Sequence, residues 1–122
     1  MKPIYWGLFL INSIDSCLTA IANQHVTFGF KTEMPQDLDT SKIYNIQVVG
    51  YACDGINEGY KVEIPAELEK FYTGNAIKHI TVGVANGGKP VNTANLSFEK
   101  IESFTVQAKL GYFQNGKVHF MN

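Results

Sequence analysis

Three observations in the 122-residue chain predict an α+β fold: two pseudo-symmetric lobes of antiparallel sheet, short helices outside, and a central cleft. Most apolar residues fall in short runs that are alternating or β-branched and aromatic, the pattern of strands. Two stretches read as short helices, one from a cap residue with apolar positions at helical spacing and one from a proline and acids at its start. One six-residue pattern is written twice, as His25-Val26-Thr27-Phe28-Gly29-Phe30 and His79-Ile80-Thr81-Val82-Gly83-Val84. Each copy is preceded by a strand and a short helical stretch, so a repeat of structure encloses the repeat of sequence. The cleft is expected to be lined by both copies.

Residues 3–11 are nearly continuously apolar and fit a strand covered on both faces. Asn12 and Ser13 break the run. Ser13 can cap a helix through about Ala22, in which Ile14, Cys17, Leu18 and Ile21 recur at helical spacing. The first repeat follows as a strand, with His25, Thr27 and Gly29 on one face and Val26, Phe28 and Phe30 on the other. Residues 31–42 are polar and read as a loop, and 43–52 as a strand. The turn-forming stretch Cys53 to Gly59 leads to an alternating strand, Tyr60 to Ile64. Pro65 opens a second short helix with Glu67 and Glu69 near its positive end, and Thr73-Gly74-Asn75 stops it. The second repeat is then a strand with His79, Thr81 and Gly83 on one face. A donor-rich loop follows from Ala85 to Pro90. Residues 104–113 and 117–120 form a hairpin closed at Asn115-Gly116.

Two imidazoles facing one cleft suit in-line phosphoryl transfer without metal. One takes the proton of the attacking hydroxyl or water, and the other protonates the leaving oxygen; near-neutral proton affinities let both states be populated. Thr27 and Thr81 would hydrogen-bond the non-bridging phosphate oxygens and stabilise developing charge. The glycine of each repeat leaves room for substrate on the same face.

The doubled His-x-Thr resembles the signature of the 2H phosphoesterase superfamily, the LigT-like fold of two pseudo-symmetric α+β lobes. The resemblance spans both motifs and the order of elements around them, about three quarters of the chain. It implies that His25 and His79 are catalytic and that Thr27 and Thr81 bind phosphate. Members cleave phosphodiesters beside a ribose 2′-OH, open cyclic phosphates or break 2′-5′ linkages, with no metal cofactor. Some viral and phage members degrade cyclic or 2′-5′-linked signals of host immunity, which is an alternative reading here. A non-catalytic nucleotide-binding module on the same fold is another. A purely structural domain gives no reason for the repeat.

The remaining features bound the function. The length suits one domain over residues 1–122. A net charge of −1 leaves no basic stripe, so a long duplex nucleic acid is not an expected partner, whereas a small nucleotide or short RNA is. A monomer is expected. Two histidines with threonine partners supply too few ligands for a metal, and no cofactor is expected. Cys17 and Cys53 have no metal-site spacing and read as reduced and buried, which fits a cytoplasmic setting. Residues 2–22 imitate a secretion signal, but Asn12, Ser13, Asp15 and Ser16 interrupt its apolar part. No apolar run is long enough to span a membrane as a helix. Tyr5 and Trp6 could stack a base or pack the core, and Trp6 or Tyr5 in the core is the plainer reading. Tyr51 and Tyr112 share that ambiguity. Lys89 could touch a phosphate or sit on an exposed loop. His119 reads as a surface residue.

Overall fold

The computed structural model describes residues 2–74 and 76–120, and Asn75 of the expected helix stop lies outside the described residues. Eight strands are described: β1 (Tyr5–Leu10), β2 (Thr19–Ala20), β3 (His25–Phe30), β4 (Ile43–Cys53), β5 (Asn57–Glu63), β6 (His79–Val84), β7 (Glu99–Gln114) and β8 (Lys117–Phe120). All pairings are antiparallel, in the order β2-β6-β5-β4-β7-β1-β3, with β8 added to β7. The helical content is two short 3₁₀ segments, Ala66–Phe71 and Pro90–Asn95. The molecule is therefore mostly antiparallel sheet with few short helices, consistent with the α+β class.

The sheet curls. β3 ends the strand order at one side and β6 lies next to the other end, yet the two approach each other. The inner face closes over Trp6, Leu8, Val26, Phe28, Ile46, Val48, Ile80, Val82 and Leu110, all 1% exposed or less. These residues alternate along their strands, so one face of each strand is removed from water. Leu68 from the first 3₁₀ segment joins them. β1 is bonded to β7 and β3, and its other face is covered where Phe9 packs under His25 and Phe120. The hairpin forms as expected, with Asn115 and Gly116 both at positive φ (53° and 77°).

The expected helix over Ser13–Ala22 is absent. Its backbone is claimed by side chains from elsewhere. Gln24 receives the Ile14 N–H on Oε1 (2.7 Å) and donates from Nε2 to the Ile14 carbonyl (2.8 Å). Glu58 takes the Cys17 N–H (3.0 Å), and Ser16 Oγ takes the Leu18 N–H (3.0 Å). Ser and Asp compete with helical bonding in this way. Thr19 and Ala20 then pair with Val84 and Gly83, giving β6 a second neighbour.

Both repeats contain a β-bulge at the same place. In β3, Thr27 pairs with Gly7 and Gly29 with Trp6, so Phe28 is the extra residue. In β6, Thr81 pairs with Gly59 and Gly83 with Glu58, so Val82 is extra. A bulge shifts the facing of everything beyond it. The assignment of Gly29 and Gly83 to the faces of the histidines is corrected accordingly. A Cβ on Gly29 would collide with the Trp6 indole and Thr32 Oγ1, and one on Gly83 with Ser16 Oγ. The space these glycines leave is filled by the protein itself and is not substrate room. Phe30, expected on the buried face, is instead 61% exposed.

Candidate active site

The four motif side chains meet in one cavity of about 670 Å³, lined among others by Tyr5, His25, Thr27, Phe30, Tyr72, His79, Thr81 and Val91. That volume falls in the range of small-ligand sites. β3 and β6 are not hydrogen-bonded as strands. They are tied by Gln24, 2% exposed, whose Nε2 also reaches the Val82 carbonyl at 3.3 Å. One buried amide thus fixes β3 against β6 immediately before His25.

The two imidazoles are held alike. His25 Nδ1 lies 2.9 Å from the Asn23 carbonyl, and His79 Nδ1 lies 2.7 Å from the Ile77 carbonyl. Each bond spans two residues. A carbonyl can only accept, so each Nδ1 carries the hydrogen and each neutral ring presents an unprotonated Nε2. Asn23 reaches its position with φ at 59°, a conformation that asparagine tolerates.

Their surroundings differ. Tyr5 stacks on His25 with centroids 4.4 Å apart, and Phe9 stacks at 5.1 Å. Burial lowers the His25 pKa to about 4, against the opposing effect of the Asn23 carbonyl, and a charge on His79 lowers it further. Burial likewise raises the Tyr5 and Tyr72 hydroxyls, which stay protonated. Thr81 Oγ1 donates to the Pro90 carbonyl at 3.2 Å, while Thr27 is exposed to the cavity side.

The cavity wall is apolar and short of cations. Phe30 and Val91, 61% and 73% exposed, stand at it with Tyr72. The chain has no arginine, and among the described residues no lysine lines the cavity. Lys31 follows the lining residue Phe30 and holds its Nζ 5.3 Å from that ring's centroid. Lys78, adjacent to His79, turns instead to Glu69 (3.3 Å) and the Tyr72 ring (4.6 Å).

Of the other candidates from sequence, Tyr5 lines the cavity through its stack on His25. Trp6 does not: it is 1% exposed in the core, donating Nε1 to Thr32 Oγ1 at 3.3 Å. Lys89 is placed outside the cavity lining, and its carbonyl accepts from Asn57 Nδ2 at 2.8 Å. His119 packs flat on Tyr112 on β8, away from the cavity and not fully at the surface. Tyr51 bonds Glu58 on Oε2. Cys17 and Cys53 are free as expected, but exposed and not buried. Sequence reasoning missed Gln24, Tyr72, Phe30 and Val91. Gln24 stands directly before the first motif, and its partners at Ile14 and Val82 are distant in sequence.

No helix among the described residues is long and apolar enough to cross a membrane. Comparison of the chain with protein-family models, with curated proteins and with solved structures returns no match.

Proposed function

We propose that the protein is a metal-independent phosphodiesterase of the 2H type, acting on a small RNA-like, 2′-5′-linked or cyclic nucleotide. In this reading the halves carrying β3 and β6 act as pseudo-symmetric lobes around the cleft. The observation that carries it is the matched pair of histidines on one cavity, each with Nδ1–H held by the carbonyl two residues before it. That arrangement presents two Nε2 atoms to one ligand, which is what acid and base catalysis on opposite sides of a phosphorus requires.

The aromatic stack on His25 supports different roles. His25, kept neutral at neutral pH, removes the proton from the attacking water or ribose hydroxyl. That oxygen forms a bond to phosphorus in line with the one that breaks. His79, on the other side of the phosphorus, delivers a proton from Nε2 to the leaving oxygen. Thr27 donates to a non-bridging oxygen, where charge builds up, and Thr81 does the same once its single hydroxyl hydrogen turns from the Pro90 carbonyl to the ligand. The few cations at the wall favour a ligand with one phosphodiester charge over a polyanion, and exposed Phe30 and Val91 offer a flat group an apolar seat.

The test is turnover, in EDTA, of 2′,3′-cyclic nucleotides, 2′-5′ oligoadenylate and cyclic dinucleotides by wild type, His25→Ala and His79→Ala. Activity that persists under chelation and falls roughly 10²–10⁴-fold in each variant is expected. No turnover, with all three proteins binding a nucleotide alike, would overturn the enzyme and leave the binding module.

A further inference from the structure

Away from the cavity, three groups that sequence spacing does not associate come together. Cys17 Sγ, Cys53 Sγ and a Glu58 carboxylate oxygen lie within 4.8 Å of one another. They arrive from the segment before β2, the end of β4 and the start of β5. Cys53 and Glu58 are cross-strand partners, which places their side chains on one face. Glu58 and Gly59 are neighbours on β5, opposite Gly83 and Thr81 respectively, so the carboxylate leaves the face opposite to Thr81. The cluster is therefore separate from the histidine site.

We propose that Cys17, Cys53 and Glu58 form a binding site for a thiophilic divalent cation of the zinc class. The Glu58 carboxylate is 4% exposed, and its hydrogen-bond partners are neutral donors: Ser16 Oγ (2.6 Å), the Cys17 N–H (3.0 Å), Tyr51 Oη and the Cys17 thiol (3.3 Å). A buried negative charge held only by dipoles, with two thiols beside it at the solvent side, is an electrostatic arrangement that a cation completes. The spacing of the ligand atoms, all within 4.8 Å, is near that of a bound ion. Tetrahedral zinc with sulfur and oxygen ligands sets neighbouring ligand atoms about 3.6–3.8 Å apart. Cys17 Sγ and Glu58 Oε2 already stand at 3.3 Å, so the ion replaces the thiol proton between them with little movement. Ser16 and Tyr51 keep the carboxylate oriented, as outer partners of metal ligands do.

Binding follows a simple balance. Two thiols lose their protons to solvent, Glu58 contributes its existing charge, and exposure of both cysteines leaves the fourth position for water. The ion would tie the segment before β2 to the ends of β4 and β5. That segment continues through β2 to Ile21 and Ala22, which line the cavity, so the ion braces one wall from behind. Neither the site nor its test depends on the phosphodiesterase reading.

The experiment is titration of the reduced full chain with Co²⁺, followed by native mass spectrometry with Zn²⁺. One ion per chain is expected, with thiolate-to-cobalt charge-transfer absorbance, which ligation by His25 or His79 alone cannot produce. Cys53→Ser, an exposed change at a strand end, should weaken binding roughly 100-fold, and Glu58→Gln at least about tenfold. Circular dichroism checks that each variant is folded; if Glu58→Gln is not, Cys17→Ser takes its place with the same expectation as Cys53→Ser. Absence of the charge-transfer band, binding that survives Cys53→Ser, or a Cys17–Cys53 disulfide forming in preference to metal capture would each overturn the proposal.

Discussion

β3 and β6 carry the same residue pattern, the same bulge after the threonine and the same imidazole-to-carbonyl bond, yet their surroundings diverge. β6 is flanked by β5 and β2; β3 is the last strand of its path and pairs with β1. His25 is sandwiched by Tyr5 and Phe9, whereas no aromatic ring stacks on His79 among the described residues. The same local sequence therefore holds two imidazoles in one orientation, and the burial of His25 under its aromatic neighbours lowers the proton affinity of that ring. Orientation comes from the strand itself; proton affinity comes from what the neighbouring strand supplies.

The strongest way to break this comparison is to exchange the environments. Tyr5→Ala uncovers one face of His25. Its proton affinity, followed by NMR titration of the imidazole, should rise from about 4 towards the ordinary value of 6.5, moving the acid limb of any pH–rate profile with it. An unchanged limb would show that Tyr5 does not set the difference. Stability gives the next largest effect. Gln24→Ala removes the amide joining Ile14 to Val82 and takes the side-chain partner from the half-buried Ile14 N–H and carbonyl, while the Val82 carbonyl keeps the Ile21 N–H. A loss of about 2–3 kcal/mol in denaturant unfolding is expected.

His25 also links folding to pH. Its folded pKa lies below the unfolded value, so the unfolded chain binds the extra proton between about pH 6.5 and 4. The neutral ring's contribution is complete above pH 6.5 and is lost as pH falls through that window. One ring edge faces the cavity, so about 2 kcal/mol of acid destabilisation is expected rather than the full shift. His25→Phe should flatten that slope. The smallest effects separate the threonines: Thr27→Val and Thr81→Val should each lower turnover about tenfold, with little change in stability for exposed Thr27.

Much of this was legible in the residues. Alternation located β3, β5, β6 and the β7–β8 hairpin, because each buries one face and a period of two records it. The motif pair located His25, Thr27, His79 and Thr81 on one cavity. The helix over 13–22 was misread because cap residues at its start were spent on tertiary bonds with Glu58 and Gln24. The bulges were hidden, since His-Val-Thr-Phe-Gly-Phe alternates equally well in a straight strand; only the pairing to Gly7 and Trp6 reveals the extra residue. The thiol and carboxylate cluster could not be read from spacing, because the sheet, not the local chain, assembles it.

The outer margin of β3 has a further consequence. A terminal strand offers its unpaired backbone groups to any other strand, and proteins usually blunt such a margin with lysine, proline or charge. β3 has no such residue, because its side chains are committed to the cavity and the core. Protection comes instead from Thr73, whose N–H and hydroxyl both bond the Phe28 carbonyl at 3.3 Å and 2.8 Å. The segment that walls the cavity thus also occupies an acceptor on the outer margin of β3. A ligand that seats against Tyr72 and Thr73 would hold that cover on β3 in place as well as occupy the cavity.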